Sequence, residues 1–269
     1  YRNGFEMLIT GLDIEEKAKI VTDTFFNSVG GKDQFDDVCV ELVRTDKEDP
    51  QLNEEAFARL RVIVKSRNKD LVGRLFNAKM IEIALANIPG FGPSNPIGDG
   101  TSFLAYWPAL IDSSHITEYV HVDEEIIEVS PTSQHGLSAV VADFEPATVS
   151  AAPSGDTVSI PFGRLFGTRS GDKGGCANLG VWAKNDEAYS FLHTFLTIER
   201  LKALLPDTAE FEIDRYELAN IRSLNFFIKG ILGEGVASSV RTDPQAKTLG
   251  EYLRAKTIDV PAILAVQVK

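Results

Sequence analysis

Apolar residues recur at helical intervals through DIEEKAKIVTDTFFNSVGG, where Ile14, Ala18, Val21, Phe25 and Val29 fall on one side and Gly30 and Gly31 stop the run. Asp13 with Glu16 three residues later has the spacing of a capping box, so a helix over 13–29 is predicted. DDVCVELVR (36–44) and FARLRVIVK (57–65) alternate apolar with polar positions instead, the period of strands with one wet face. The wide apolar stripe of KDLVGRLFNAKMIEIALANIPG predicts a buried helix from about 69 to 88, ended by Pro89 and Gly90. PGFGPSNPIGDG (89–100) holds four glycines and three prolines, which excludes a helix or a central strand and leaves a shaped loop. ITEYVHVDEEIIEVS has the alternating faces of a hairpin, and residues 131–156, rich in Ser, Ala, Pro and Thr, have the composition of an interdomain linker.

Beyond the linker, SIPFGRLF and ANLGVWAK are predicted strands flanking GTRSGDKGGCANLG (167–180). DEAYSFLHTFLTIERLKALLP predicts one amphipathic helix with Ala188, Phe191, Leu192, Phe195, Leu196 and Leu205 inward. EFEIDRYEL predicts a strand. NIRSLNFFIKGILGEG, with Asn220 in a capping position and glycines at its end, favours a helix, although Phe226, Phe227 and Ile228 also suit a strand. SSVRTD, TLGEYLRAK and IDVPAIL then predict a short strand, a short helix and an extended tail. Hairpins combined with helices, rather than strict βαβ repeats, point to α+β with largely antiparallel sheets.

Composition narrows the class of function. The 269 residues are 43% apolar and 25% charged, and their net charge of −12 argues against a general attraction to nucleic acid or an anionic membrane surface. Two cysteines, Cys39 and Cys176, make neither a disulfide framework nor a C-x-x-C pair, so a reducing compartment, the cytoplasm, is expected. Apolar runs fall well short of the roughly 18 residues of a transmembrane helix. YRNGFEML lacks an apolar signal core and an initiator methionine, so a processed or truncated chain is expected. His115, His121, His135 and His193 are scattered, so neither a metal nor a cofactor is expected. Trp107 and Trp182 read as core.

The segment 167–180 is the candidate for chemistry. Clustered glycine amides beside Arg169 and Lys173 suit a nest for phosphate or carboxylate. The P-loop pattern fails, because one residue too few separates Gly167 from Gly171, Asp172 precedes Lys173, and a strand follows. No G-x-G-x-x-G opens a helix, and nothing places a histidine beside Ser170 to make it a nucleophile. Two readings stand: an anion or catalytic site, or a structural hairpin in which Asp172 and Lys173 cap backbone groups and Arg169 pairs with an acid. Elsewhere, PGFGPSNPIGDG suits either a rigid irregular crossover or a mobile lid carrying Asp99. Asn220, Arg222 and Asn225 suit either caps and surface pairing or ligand contacts, with a helix aiming Arg222 and Asn225 to one side. RTDPQAK suits either a plain turn at Asp243–Pro244 or phosphate contacts from Arg241 and Lys247.

RSGDKGGCANLGVWAK, YELANIRSLNFFIKGILGEGV and RTDPQAKTLGEYLRAK together resemble the C-terminal portion of the acyclic terpene utilisation (AtuA-like) family, described as a small ferredoxin-like domain. IEIALANIPGF with GDGTSFLAYWPALI resembles the closing part of that family's main domain. The resemblance implies a truncated α/β main domain over about 1–130, a linker over 131–156 and a ferredoxin-like domain over 157–269, without the family's glycine-rich N-terminal section. Gly175 and Cys176 stand where other members often carry Asn or Asp, which removes those two side chains as candidates. The family takes its name from bacterial citronellol and geraniol degradation, which runs through branched acyl-CoA thioesters. A hydratase or lyase step is therefore the implied chemistry, with Asp172 as acid or base and Lys173 with backbone amides stabilising an oxyanion. The implied ligand, an acyl-CoA or carboxylate, is expected against Arg169, Ser170, Gly171, Lys173, Gly174, Asn178, Arg222, Asn225, Arg241 and Lys247. The alternative is a non-catalytic subunit or assembly domain, and a homo-oligomer or larger assembly is expected in either case, in the cytoplasm or, in a eukaryote, the mitochondrial matrix. A closed polar pocket favours the first reading and a wide exposed apolar patch the second.

Overall fold

Phe5, Met7 and Ile9 alternate with polar neighbours, and in the computed structural model of the chain they build β1 (Arg2–Thr10), a strand the expected element order lacks. Residues 1–86, 88–129 and 149–266 are described. They divide into two units, Tyr1–Leu104 and Ala105–Lys269. The expected linker lies outside the described residues from 131 to 148.

In the first unit β1 is followed by α1 (Ile14–Ser28), β2 (Asp37–Val43), β3 (Phe57–Lys65), α2 (Phe76–Ala84) and a short edge strand, β4 (Phe91–Pro93). The sheet runs β2-β3-β1-β4 and is antiparallel throughout. Period 2 sorts its faces: Phe5, Met7 and Ile9 with Ala58, Leu60, Val62 and Val64 are buried, together with Val21 and Phe25 of α1 and Phe76 and Met80 of α2. Two expectations need correction. Asp13 makes no capping bond, because its φ of 58° puts it in the left-handed region, whereas a capping residue needs an extended backbone to turn its carboxylate onto the helix amides. The second helix starts in a π turn, Leu71–Leu75, kinked at Gly73, and ends at Ala84 rather than near 88.

The second unit opens with the expected hairpin, β5 (Glu118–Val122) and β6 (Glu125–Val129), every residue of which is exposed. From residue 149 onward come β7 (Thr157–Pro161), α3 (Phe162–Leu165), β8 (Gly167–Lys173), β9 (Cys176–Trp182), α4 (Asp186–Phe195), α5 (Ile198–Leu204), β10 (Ile213–Leu218), β11 (Ser223–Ile228), α6 (Leu249–Arg254), β12 (Thr257–Pro261) and α7 (Ala262–Ala265). The main sheet runs β10-β11-β9-β8, all antiparallel, and β12 pairs with β7. Ala177, Leu179 and Val181 of β9 and Leu224, Phe226 and Ile228 of β11 face a core closed by Leu192, Leu201 and Leu253 from the helices.

Within 220–235 the apolar run forms a strand, Ser223–Ile228, and not a helix. Leu224, Phe226 and Ile228 alternate onto the core, and β11 lies centrally between β10 and β9, so two ladders outweigh the local helical signals. Arg222, left-handed at φ 52°, ends a 3-10 turn at Ala219–Ile221 and starts the strand. The long helix expected at 186–205 is two helices: Leu196 leaves helical geometry, and the Thr197 hydroxyl accepts from the Arg200 amide at 3.1 Å to cap a new start. No strand forms at SSVRTD, Phe162–Leu165 turn helical after Pro161, and the C-terminal segment is a strand and a short helix rather than an extended tail.

Candidate functional site

The 167–180 segment forms a hairpin. Arg169 stands opposite Gly180, Gly171 opposite Asn178 and Lys173 opposite Cys176, leaving Gly174 and Gly175 as a two-residue turn. An extended strand sends successive amides to opposite sides, whereas a nest makes them converge, so the strand residues do not form a nest. Its glycines answer to packing. Gly174 has φ +64° with the Tyr106 ring 3.2 Å from where a Cβ would sit, a Cβ on Gly175 would lie 2.0 Å from the Gly233 carbonyl oxygen, and one on Gly167 would strike the Trp182 indole. The Gly175 carbonyl in turn accepts from the Leu232 amide at 2.9 Å. Gly171 alone in this set has neither a positive φ nor an atom within 4 Å. Trp182, expected as core, is exposed on the side of the sheet away from the helices.

What the hairpin does build is a groove along its edge strand. About 280 Å³ in volume, it is lined by Thr168, Arg169, Ser170, Lys247, Gly250 and Glu251. The Ser170 hydroxyl accepts from the Gly250 amide at 2.9 Å, and a Cβ at Gly250 would come 2.7 Å from the Thr168 hydroxyl, so glycine there lets α6 close on β8. The Thr168 hydroxyl is buried and takes no hydrogen bond among the described residues. Among the same residues neither Arg169 nor Lys247 enters an ion pair, while Glu251 pairs with Arg254 at 2.9 Å.

Lys247 owes its position to Asp243. The Asp243 carboxylate accepts from the Lys247 amide at 3.0 Å, the Thr248 amide at 2.7 Å and the Thr248 hydroxyl at 2.7 Å, closing the predicted turn. Burial pushes this carboxyl up, but the bonds from Thr248, Lys247 and Gln245 outweigh it and hold the group below its ordinary value. Asp243→Ala is expected to cost about 1 to 2 kcal/mol at neutral pH. Because the folded-state value is depressed, that contribution is present above the unfolded carboxylate range, about pH 4, and lost as pH falls through the folded-state value. Urea denaturation should therefore show wild type and variant separated at neutral pH, with the gap narrowing as pH falls below the ordinary carboxylate range; a gap that stays constant into acid contradicts this account.

The remaining candidates are dispersed. Arg222 pairs with Asp186 at 2.6 Å and Arg241 with Asp207 at 2.6 Å, so both charges are already answered. Asn178 donates to Asn225 at 3.1 Å across the sheet, which replaces the expected alignment of Asn225 with Arg222 on a helix. Lys173 bonds the backbone carbonyl of Asp172 at 2.9 Å, and neither residue lines the groove. Among the described residues no three His, Cys, Asp or Glu side chains cluster as a metal site. His193 instead meets Glu217 at 2.9 Å, and this contact, with Arg215 beside it, holds the Glu217 carboxyl below its ordinary range.

A second cavity, in the first unit, had only a partial signal in the sequence. The loop predicted at 89–100 is fastened to β1 rather than free as a lid: Arg2 and Thr101 exchange backbone bonds of 2.8 Å, and Ser94 bonds the Glu6 carbonyl through its amide at 3.1 Å and its hydroxyl at 3.0 Å. Between these points the buried Asn3 amide reaches the Val72 and Gly98 carbonyls at 2.7 and 3.0 Å. The arch leaves about 400 Å³ above Gly4, with Arg2, Arg61, Ile63, Ile97 and Asp99 among its walls.

Residues 1–122 match the family model described as acyclic terpene utilisation family protein AtuA, and residues 160–259 match the AtuA ferredoxin-like domain. The chain belongs to the AtuA-like family. No curated protein and no solved structure matches it. The groove falls wholly within the AtuA ferredoxin-like match and the arched cavity wholly within the AtuA match. No helix among the described residues is long and apolar enough to cross a membrane.

Proposed function

We propose that this chain takes part in acyclic terpene utilisation as a ligand-holding component, with the groove between β8 and α6 receiving the phosphate or carboxylate of an acyl-CoA or acid. One observation carries the reading: Arg169 and Ser170 line a single groove with Lys247 from a distant segment, and the two cations have no ionic partner among the described residues. In a chain of net charge −12 two unanswered cations lining one groove are a local exception that an anion offsets. A hydratase or lyase step at the bound headgroup would require Asp172 and Lys173 beside it. They lie at the turn end of the hairpin, outside the groove lining, so holding rather than transforming is the reading adopted.

A second reading, assembly with another subunit, is favoured by the segment from Ala105 to Val129. Trp107 is 87% exposed and Leu110 fully so, and the two-stranded hairpin that follows shows Val120, Val122, Ile126 and Ile127 to solvent. Continuous apolar exposure of this kind marks an interaction surface, and a lone hairpin is marginal without a covering partner. The two readings are compatible and separable.

Calorimetry with isovaleryl-CoA and free CoA tests the first: Arg169→Ala and Lys247→Ala should each weaken binding about tenfold with an unchanged melting temperature, since exposed charges contribute little to stability. Absence of binding to wild type, or full affinity in both variants, overturns it. Sedimentation velocity tests the second, with Trp107→Ser/Leu110→Ser expected to abolish any assembly the wild type forms. A monomeric wild type overturns that reading.

A further inference from the structure

The groove between β8 and α6 has a neighbour on the same helix. A second depression of about 290 Å³ is walled by Pro161, Gly163, Arg164, Glu251 and Arg254, so Glu251 lines both. The chain entering β8 runs past α6 in the opposite direction and is fastened to it at two levels. The Ser170 hydroxyl accepts from the Gly250 amide at 2.9 Å, and the Gly163 carbonyl accepts from the Arg254 guanidinium at 3.3 Å. Gly250 and Arg254 are four residues apart on α6, which separates the two levels by about 6 Å along the helix. Both levels depend on glycine: a Cβ on Gly163 would come 2.6 Å from the Arg254 Cβ and Nε, as one on Gly250 would strike the Thr168 hydroxyl. Backbone packing thus sets the seam that carries both grooves.

Charge along this seam is one-sided. The two linings together hold four cations, Arg164, Arg169, Lys247 and Arg254, and one acid, Glu251. Arg254 spends one guanidinium nitrogen on Glu251 at 2.9 Å and another on Gly163, while its Nε is buried without a hydrogen-bond partner among the described residues. Arg164 is exposed and enters no ion pair among the same residues. Each lining therefore holds an unanswered cation and one buried polar atom without a partner, the Thr168 hydroxyl in the first and the Arg254 Nε in the second. An unpaired buried N–H is costly, and an oxygen of a bound anion removes that cost.

Two cationic grooves one helical turn apart fit two anions carried on one ligand. Glu251 lines both and offers only acceptor oxygens, one of which takes no bond among the described residues, so the link between the anions has to be uncharged and to donate hydrogen bonds. A continuous diphosphate laid across Glu251 fails that condition, and a sugar with a free hydroxyl between two phosphates meets it. We propose that the seam binds a ribose carrying two phosphates, the 3′,5′-bisphosphate unit of a CoA carrier, with the 5′ phosphate beside Arg169 and Lys247 and the 3′ phosphate beside Arg164 and Arg254. This rests on the anion reading of the β8–α6 groove and narrows it from any phosphate or carboxylate to a 3′-phosphorylated nucleotide.

Titration calorimetry of the whole chain with CoA and with dephospho-CoA, which lacks only the 3′ phosphate, tests it. CoA should bind about tenfold or more tighter than dephospho-CoA, and adenosine 3′,5′-bisphosphate should displace CoA at concentrations where adenosine 5′-phosphate does not. Arg164→Ala should weaken CoA about tenfold and leave dephospho-CoA unchanged, whereas Lys247→Ala should weaken both. Arg164 is exposed, so its variants should melt with the wild type, and Arg164→Glu, which sets an acid beside the 3′ phosphate, should weaken CoA further. Equal affinity for CoA and dephospho-CoA, or full CoA affinity in both Arg164 variants, overturns the bisphosphate proposal; if Lys247→Ala still weakens both ligands, the β8–α6 groove stands as a single anion site. Absence of binding of every probe to the wild type overturns the two together.

Discussion

Gly175→Ala is expected to destabilise the second unit by about 3 kcal/mol, whereas Gly171→Ala, in the same hairpin, should change stability by no more than about 0.5 kcal/mol. One methyl group is added in each case, and only its surroundings differ. At Gly175 it would arrive 2.0 Å from the Gly233 carbonyl oxygen, a backbone atom that cannot rotate aside. Relief requires moving the 230–235 turn, whose Leu232 amide is bonded to the Gly175 carbonyl at 2.9 Å and whose Gly235 packs against Tyr106. At Gly171 the methyl meets open space on an extended strand, and reduced freedom of the unfolded chain offsets any loss. Urea denaturation followed by tryptophan fluorescence reads both, because Trp107 and Trp182 belong to the second unit. Equal effects at the two positions would mean that the hairpin turn is not docked on the 230–235 turn.

That contrast shows what sequence conveys about this hairpin and what it does not. Glycine density announces a backbone demand, but the demand at Gly175 comes from a carbonyl in the turn that follows β11 and the one at Gly167 from the Trp182 ring across the strand pair. Neither source has a local signature, so an anion nest and a packed turn look alike until the chain is folded. The same holds for the arginines. Arg169, Arg222 and Arg241 all stand in polar, loop-like sequence, yet Arg222 and Arg241 are answered by Asp186 and Asp207, 36 and 34 residues away, and Arg169 is not.

Elements with a clear, uncontested period were legible. β2 and β3 form where their alternation places them and α1 follows its stripe, and the β5–β6 hairpin forms where its alternation predicts although both of its faces are exposed. β11 was not, because Leu224, Phe226 and Ile228 alternate inside a run where Phe227 is also apolar, and an Asn at a capping position adds a helical signal. Partners on both sides decide it. β1 escaped for a different reason: Gly4 and Asn3 weaken its strand propensity, yet Gly4 fits closely against β3 and Asn3 holds the 94–101 loop. The residues that obscure the strand are those that shape the cavity.

The same β1 sets the last and largest expected effect. Phe25→Ala should cost the first unit about 3 to 5 kcal/mol. The ring is wholly buried and meets Phe5 at 5.0 Å and Phe76 at 4.9 Å, both edge-on, with Phe26 at 5.2 Å, so its loss removes contacts to the central strand and to α2 at once. Collapse of the void is opposed by Met7, Val21 and Met80, which are themselves fully buried around it. Since both tryptophans lie in the second unit, fluorescence follows that unit alone while far-UV circular dichroism follows both. The variant should lower the midpoint of the dichroism transition and leave the fluorescence midpoint where it was, splitting a transition that the two probes otherwise report together or nearly so. If the fluorescence midpoint falls by the same amount, the two units unfold as one cooperative body and the aromatic core of the first stabilises the groove of the second.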